Sequence, residues 1–228
     1  MDPQQRLFLE EAWNAFAHAG YCAKSLSDAR CGLFVGAATG EYGAVLRREN
    51  PSLFHSAFAG TGLTASIMVA RIPYLLNLKG PSVALDTACS SSLVALHQAC
   101  RSIETGDCDM ALAGGINLIL EPDQILTTSK LRMLSPGGRC RPFDHRADGI
   151  ALSEGVAVVL VKRLEQALKD GDCIYGVVKA SGVNQDGKTN GITSPSAISQ
   201  AQLQREVLAR AGVNAARIGM IEAHGTGT

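Results

Sequence analysis

The chain has 228 residues, 46% of them hydrophobic and 18% charged, and its formal net charge is +0. That composition buries a sizeable core in one large domain or two small ones and excludes a low-complexity or disordered chain. Balanced charge leaves no basic face for nucleic acid, no apolar run reaches membrane-spanning length, and seven cysteines without C-x-x-C spacing argue for reduced thiols in a cytosol, against a disulfide scaffold or a zinc site.

Residues 4–19 read as an amphipathic helix with Leu9, Trp13, Phe16 and Ala17 on one face, and its acids distinguish it from a signal peptide. Residues 31–36 read as a buried strand ending in glycine. Residues 62–76 are helical, with Pro73 bending or ending the helix. A short strand at 83–86 runs into a helix at 90–104. Residues 110–120 read as a strand with a kink at Gly114-Gly115. A polar loop at 135–144 follows, then an apolar strand at 156–161 and a short helix at 163–169 stopped by Gly171. A strand at 174–180, a long polar loop at 183–195, a helix at 196–211 and a last strand at 218–223 complete the order. Continuous apolar strands alternating with helices predict a sheet covered on both faces, an α/β layer fold.

The turn between the strand at 83–86 and the next helix carries Asp86-Thr87-Ala88-Cys89-Ser90-Ser91-Ser92. Free backbone N–H groups and the positive end of the helix dipole lie beside a thiol placed there, which favours the thiolate and makes Cys89 a candidate nucleophile. A buried core cysteine is the competing reading, and the three serines, poor core filler and good helix starters, speak against it. His224 follows the last predicted strand in a Gly/Thr-rich turn, where the active sites of α/β sheets often lie. It is a candidate donor or general acid/base for Cys89, against the alternative of a surface-loop histidine. His18, His55, His97 and His145 have weaker cases. Gly60-Thr61-Gly62-Leu63-Thr64-Ala65 matches G-x-G-x-x-A, but no convincing strand precedes it, so a dinucleotide site is disfavoured. The carboxylates of Asp148 and Glu154 read as fixing loop backbone rather than doing acid/base work.

D-T-A-C-S-S-S-L at 86–93 followed by E-A-H-G-T-G-T at 222–228 resembles the β-ketoacyl synthase (ketosynthase) domain of modular polyketide synthases. The resemblance spans the chain: M-D-P-Q-Q-R-L at 1–7, A-L-A-G-G-I-N at 111–117, R-M-L-S-P-G-G-R-C-R-P-F-D at 132–144, A-D-G at 147–149, E-G at 154–155 and V-N-Q-D-G at 183–187. One departure is Ile150-Ala151-Leu152-Ser153 before Glu154-Gly155, where the family often reads Y-V-x-G.

The resemblance implies the thiolase-like fold, an αβαβα layered sandwich of two similar halves. It implies an acyltransferase that performs decarboxylative Claisen condensation in polyketide, fatty-acid-like biosynthesis. Cys89 corresponds to the nucleophile that carries the acyl thioester, and its presence rules out the decarboxylase-only variants with glutamine there. His224 corresponds to the first of two histidines acting in malonyl decarboxylation. Thr226 and Thr228 correspond to residues that hydrogen-bond phosphopantetheine. The Cys89 N–H corresponds to half of the oxyanion hole. No metal and no cofactor of its own is implied; the phosphopantetheine arm of an acyl carrier protein presents acyl and malonyl-type thioesters. A homodimer, a cytoplasmic setting and no nucleic-acid or membrane partner are also implied.

Against the family pattern the chain lacks the first strand upstream and, downstream, the lysine, the second active-site histidine and the Gly/Phe-rich loop. It is therefore expected to be a partial domain, with residues 1–162 the N-terminal half and 163–228 the start of the C-terminal half, and inactive by itself. The alternatives are a non-condensing acyl-transfer or gatekeeping domain, another thiolase-fold acyltransferase, or a structural surface in which Cys89 is incidental.

Overall fold

Leu33 and Val35 point to one face of their strand and Phe34 to the other, and all three are buried, so the chain must cover that strand from both sides. The computed structural model, which describes residues 1–38 and 40–228, shows how. The chain divides into two units, Met1–Arg163 with Ala223–Thr228, and Leu164–Glu222.

In the first unit β1 (Cys31–Gly36), β2 (Ser82–Leu85), β3 (Met110–Asn117) and β4 (Gly155–Lys162) form one sheet in the order β2-β1-β3-β4. β1 is parallel to β2 and β3, pairing Leu33 with Ser82 and Cys31 with Met110, and β4 is antiparallel to β3. One face packs on α1 (Pro3–His18) and α6 (Ala65–Leu76), where Phe8, Ala12, Phe16, Met68, Val69 and Ile72 meet Leu33, Val35 and Leu112. The other face takes α7 (Ser91–Thr105), whose Ala95, Ala99 and Ile103 pack on Phe34, Ala111 and Ala113. Small residues on both sides of that contact let helix and sheet approach closely. The result is an α–β–α layer order.

Several expectations change in detail. α1 begins at Pro3 because the Asp2 carboxylate caps it, accepting from the Gln4 N–H at 2.8 Å. Its buried line is Gln5, Phe8, Ala12 and Phe16, whereas Trp13 is 44% exposed and Ala17 is exposed. The apolar face is wide, and the line from Gln5 through Phe8 and Ala12 to Phe16, in steps of three, four and four, wins the core while Trp13 falls on its flank. The helix expected at 62–76 is two helices, α5 (Ala57–Leu63) and α6, broken at extended Thr64. Pro73 does not end α6: it sits in the last turn, where its missing N–H forfeits one bond, and the helix stops instead at left-handed Asn77. The glycine pair does not kink β3, which pairs without interruption from Met110 to Asn117. The helices α2 (Ala23–Leu26), α3 (Tyr42–Glu49), α4 (Pro51–Phe54) and α8 (Asp123–Lys130) carry no strong sequence signal and emerge only in the folded chain.

In the second unit α9 (Leu164–Asp170) and α10 (Ala197–Ala211) are present as expected, α10 capped by the Ser196 hydroxyl and closed by Gly212. The strands expected at 174–180 and 218–223 are not strands among the described residues. The chain just after the first of these runs lies along α10, with the Asn184 amide donating to the Ser199 carbonyl at 2.8 Å and Arg210 to the Ser181 carbonyl at 2.8 Å. A β-leaning segment becomes a strand only beside a ladder partner, and none is paired with either stretch.

Candidate active site

β2 ends at Leu85 and α7 starts at Ser91, so the chain reverses within residues 86–90. Side chains of the motif hold that reversal. The Asp86 carboxylate accepts from the Ala88 N–H at 2.9 Å. The Ser91 hydroxyl accepts from the Thr87 N–H at 2.8 Å and donates to the Ala88 carbonyl at 2.6 Å. The Ser90 hydroxyl donates to the Thr87 carbonyl at 2.9 Å. Within this frame Ala88 sits at φ 55°, a left-handed conformation that a Cβ disfavours by about 1–2 kcal/mol. The motif side chains thus stabilise a strained backbone immediately before Cys89.

Cys89 is exposed, and its backbone bridges to Thr87 within the same turn. This removes the reading of a buried core cysteine. Two glycines set the height of the turn. A Cβ on Gly36, at the end of β1, would lie 2.6 Å from the Ser91 carbonyl carbon and 2.7 Å from the Ser92 nitrogen. One on Gly115, near the end of β3, would lie 2.9 Å from the Ser92 Cβ. Gly115 is therefore a close-approach glycine, not a kink. The sequence marks neither Gly36 nor Gly115 as part of a site, because only the packed sheet brings them under α7.

The other half of the motif set gathers around residues 223–228, which belong to the same unit as Cys89. Gly225 and Gly227 take φ 57° and 71°. The Gly149 N–H donates to the Gly227 carbonyl at 3.0 Å, and the Thr226 and Thr228 hydroxyls are 2.9 Å apart. His224 is exposed, and among the described residues its ring has no hydrogen bond or ion pair, with Cys89 or otherwise. Asp148 accepts from the Ser135 hydroxyl at 2.6 Å and meets Arg141 at 3.2 Å, and Glu154 accepts from the Ile119 N–H at 2.8 Å. Glu154 thus fixes loop backbone, as its turn position implied, whereas Asp148 braces the loop through two side chains rather than through backbone. Gly60 and Gly62 lie inside α5, so no strand–turn–helix cradle for a dinucleotide forms. No group of three His, Cys, Asp or Glu residues suited to a metal occurs among the described residues.

Cavities flank the sheet among the described residues. One of about 400 Å³ opens beside the end of β1, lined by Gln4, Ala37, Leu63, Ala65 and Met68, with the Asp2 carboxyl held above its ordinary pKa by burial. The larger, about 630 Å³, lies at the opposite end of β1 around Arg30 and Arg101, away from Cys89.

The family model described as Beta-ketoacyl synthase, N-terminal domain matches residues 1–167, and the model for its C-terminal domain matches residues 175–228. Polyketide synthase PksL of Bacillus subtilis is 46% identical over 228 residues, all of this chain and 5% of that protein. Phthioceranic/hydroxyphthioceranic acid synthase of Mycobacterium bovis is also 46% identical, over all of this chain and 11% of its own length. Among solved structures, the ketosynthase from module 6 of the bacillaene synthase of Bacillus subtilis superposes with a TM-score of 0.92 at 45% identity, over all of this chain and 39% of that one. The chain thus spans about two-fifths of a solved ketosynthase and a small share of the curated relatives.

Proposed function

The chain belongs to the β-ketoacyl synthase family, and on that premise we propose that it supplies the nucleophile-bearing part of a ketosynthase in a modular polyketide synthase. The observation that carries this is Cys89, exposed at the start of α7 and directly after the left-handed Ala88. The Cys89 thiolate attacks the acyl carbon of an acyl thioester on a carrier protein, and the carrier's phosphopantetheine thiol leaves. The Cys89 N–H donates to the oxyanion as the tetrahedral centre forms. A malonyl-type thioester then loses carbon dioxide. The resulting enolate attacks the Cys89-bound acyl carbon, the new carbon–carbon bond forms, and the Cys89 thiolate is released.

In this reading His224 donates a hydrogen bond to the enolate oxygen, and its exposure in the same unit as Cys89 supports that role. Thr226 and Thr228 hold the phosphopantetheine arm, their hydroxyls facing each other on one rim. We place the boundary between an N-terminal half and the start of a C-terminal half near residue 163. We further propose that the working enzyme is a longer, cytoplasmic homodimer served by an acyl carrier protein, and that residues 1–228 alone do not condense, since one imidazole is a weak site for an enolate. No helix among the described residues is long and apolar enough to cross a membrane.

Exposure of the complete synthase to an acyl-carrier thioester, followed by intact-mass and peptide mapping, is expected to place the acyl group on Cys89. Product formation with malonyl carrier protein is expected to vanish in Cys89→Ala. Acyl transfer to another residue, or condensation surviving that substitution, sinks the reading.

A further inference from the structure

We propose that Cys140 is a positioning residue for the His224–Thr228 turn, its thiol holding in place the residues that receive the carrier-borne substrate. The inference rests on the ketosynthase reading. Among the described residues the turn has no ladder partner, and it contains two left-handed glycines, so its own backbone does not fix its shape. Its shape is imposed from outside. Three consecutive carbonyls, those of Gly225, Thr226 and Gly227, each accept a hydrogen bond from one loop. The Cys140 thiol reaches the first two at 3.3 and 3.0 Å, and the Gly149 N–H reaches the third at 3.0 Å.

The loop presses on the turn as well as bonding to it. A Cβ on Gly227 would lie 2.8 Å from the Arg141 nitrogen, and one on Gly225 3.3 Å from the Pro142 Cβ. The loop is braced in turn. Arg141, next to Cys140, pairs with Asp148 at 3.2 Å, and Asp148 takes the Ser135 hydroxyl at 2.6 Å. A pair of backbone bonds, Ser135 N–H to the Ile150 carbonyl and Ile150 N–H to the Met133 carbonyl, both 2.8 Å, closes the loop.

A thiol has one weak donor proton to share between two carbonyls. Its loss therefore loosens the turn without unfolding the loop, which keeps Asp148 and the Gly149 bond. The effect falls on Thr226, Thr228 and His224 rather than on Cys89, whose turn is held by Asp86, Ser90, Ser91 and the two glycines under α7.

The test compares Cys140→Ala, Cys140→Ser and wild type in the complete synthase. Each is assayed for acylation of Cys89 by a short N-acetylcysteamine thioester, for acylation by acyl carrier protein, and for malonyl decarboxylation. The alanine variant is expected to raise KM for the carrier-borne acyl group and slow decarboxylation by about tenfold, the scale on which loose positioning acts. Acylation by the short thioester is expected to stay within about twofold, and serine, which keeps a donor, to recover much of the loss. Equal losses for both thioesters, wild-type behaviour of Cys140→Ala in every assay, or no recovery with serine overturns the proposal. Should the alanine variant fail to accumulate, Cys140→Val, similar in size and lacking a donor, makes the same comparison. Wild-type protein that takes no acyl group on Cys89 would instead overturn the ketosynthase reading.

Discussion

Replacing Gly36 by alanine tests whether the sheet sets the position of Cys89. The added Cβ would lie 2.6 Å from the Ser91 carbonyl carbon and 2.7 Å from the Ser92 nitrogen, both backbone atoms of the first turn of α7. Non-bonded carbon contact begins at about 3.5 Å, so that turn must retreat by about 1 Å. Overpacking of this kind costs about 1–3 kcal/mol. A displacement of about 1 Å at a reacting atom lowers its rate by about 100-fold. The rate of Cys89 acylation in the complete synthase, read by mass spectrometry at timed quenches, and urea unfolding are the two measurements. Gly60→Ala is the control: it lies in α5 with nothing within 4 Å of the new Cβ, and an added methyl there is expected to stabilise by about 0.4–1 kcal/mol. Wild-type acylation and wild-type stability in Gly36→Ala would refute the close-approach account.

Further predictions concern the supports of the site and the core. Ser91→Ala removes the acceptor for the Thr87 N–H and the donor to the Ala88 carbonyl, and is expected to cost about 1–3 kcal/mol in urea unfolding, with slower acylation of Cys89. A variant as stable and as fast as wild type would show that the turn holds without it. Ala88→Gly relieves a left-handed Cβ and is expected to leave stability unchanged or raise it by up to about 1 kcal/mol, so a clear loss would contradict the strain assignment. Burial pushes the Cys31 thiol up from 9.0 to about 12. The folded state then retains a proton that the unfolded state gives up, so stability is intact below pH 9 and falls between pH 9 and 12, approaching about 1.4 kcal/mol per pH unit from this group. Denaturation curves at pH 8 and 10 are expected to show that loss in wild type and a smaller one in Cys31→Ala; equal losses would refute it. Iodoacetamide is expected to alkylate exposed Cys89 in the native protein and buried Cys31 and Cys108 only after unfolding, as peptide mapping would show.

Amino-acid order by itself determined the alternation of apolar strands and amphipathic helices, the place of Cys89 between a strand and a helix, and the motif set that marks the family. These are local properties: β1, β3 and β4 are apolar runs bounded by polar turns, and α7 and α10 have their own starts and left-handed glycine stops. The tertiary structure alone decided which of those patterns became elements and what held the site. Residues 174–180 and 218–223 have strand composition, but a strand exists only with a neighbour to bond, and none is paired with them among the described residues. Gly114 and Gly115 look like a flaw in a strand until β4 and α7 are laid against them. Cys140 is one thiol in a polar loop until folding carries residues 225 and 226 to it, 85 and 86 positions away along the chain. Distances of that kind are set by packing between elements, which no window of sequence contains.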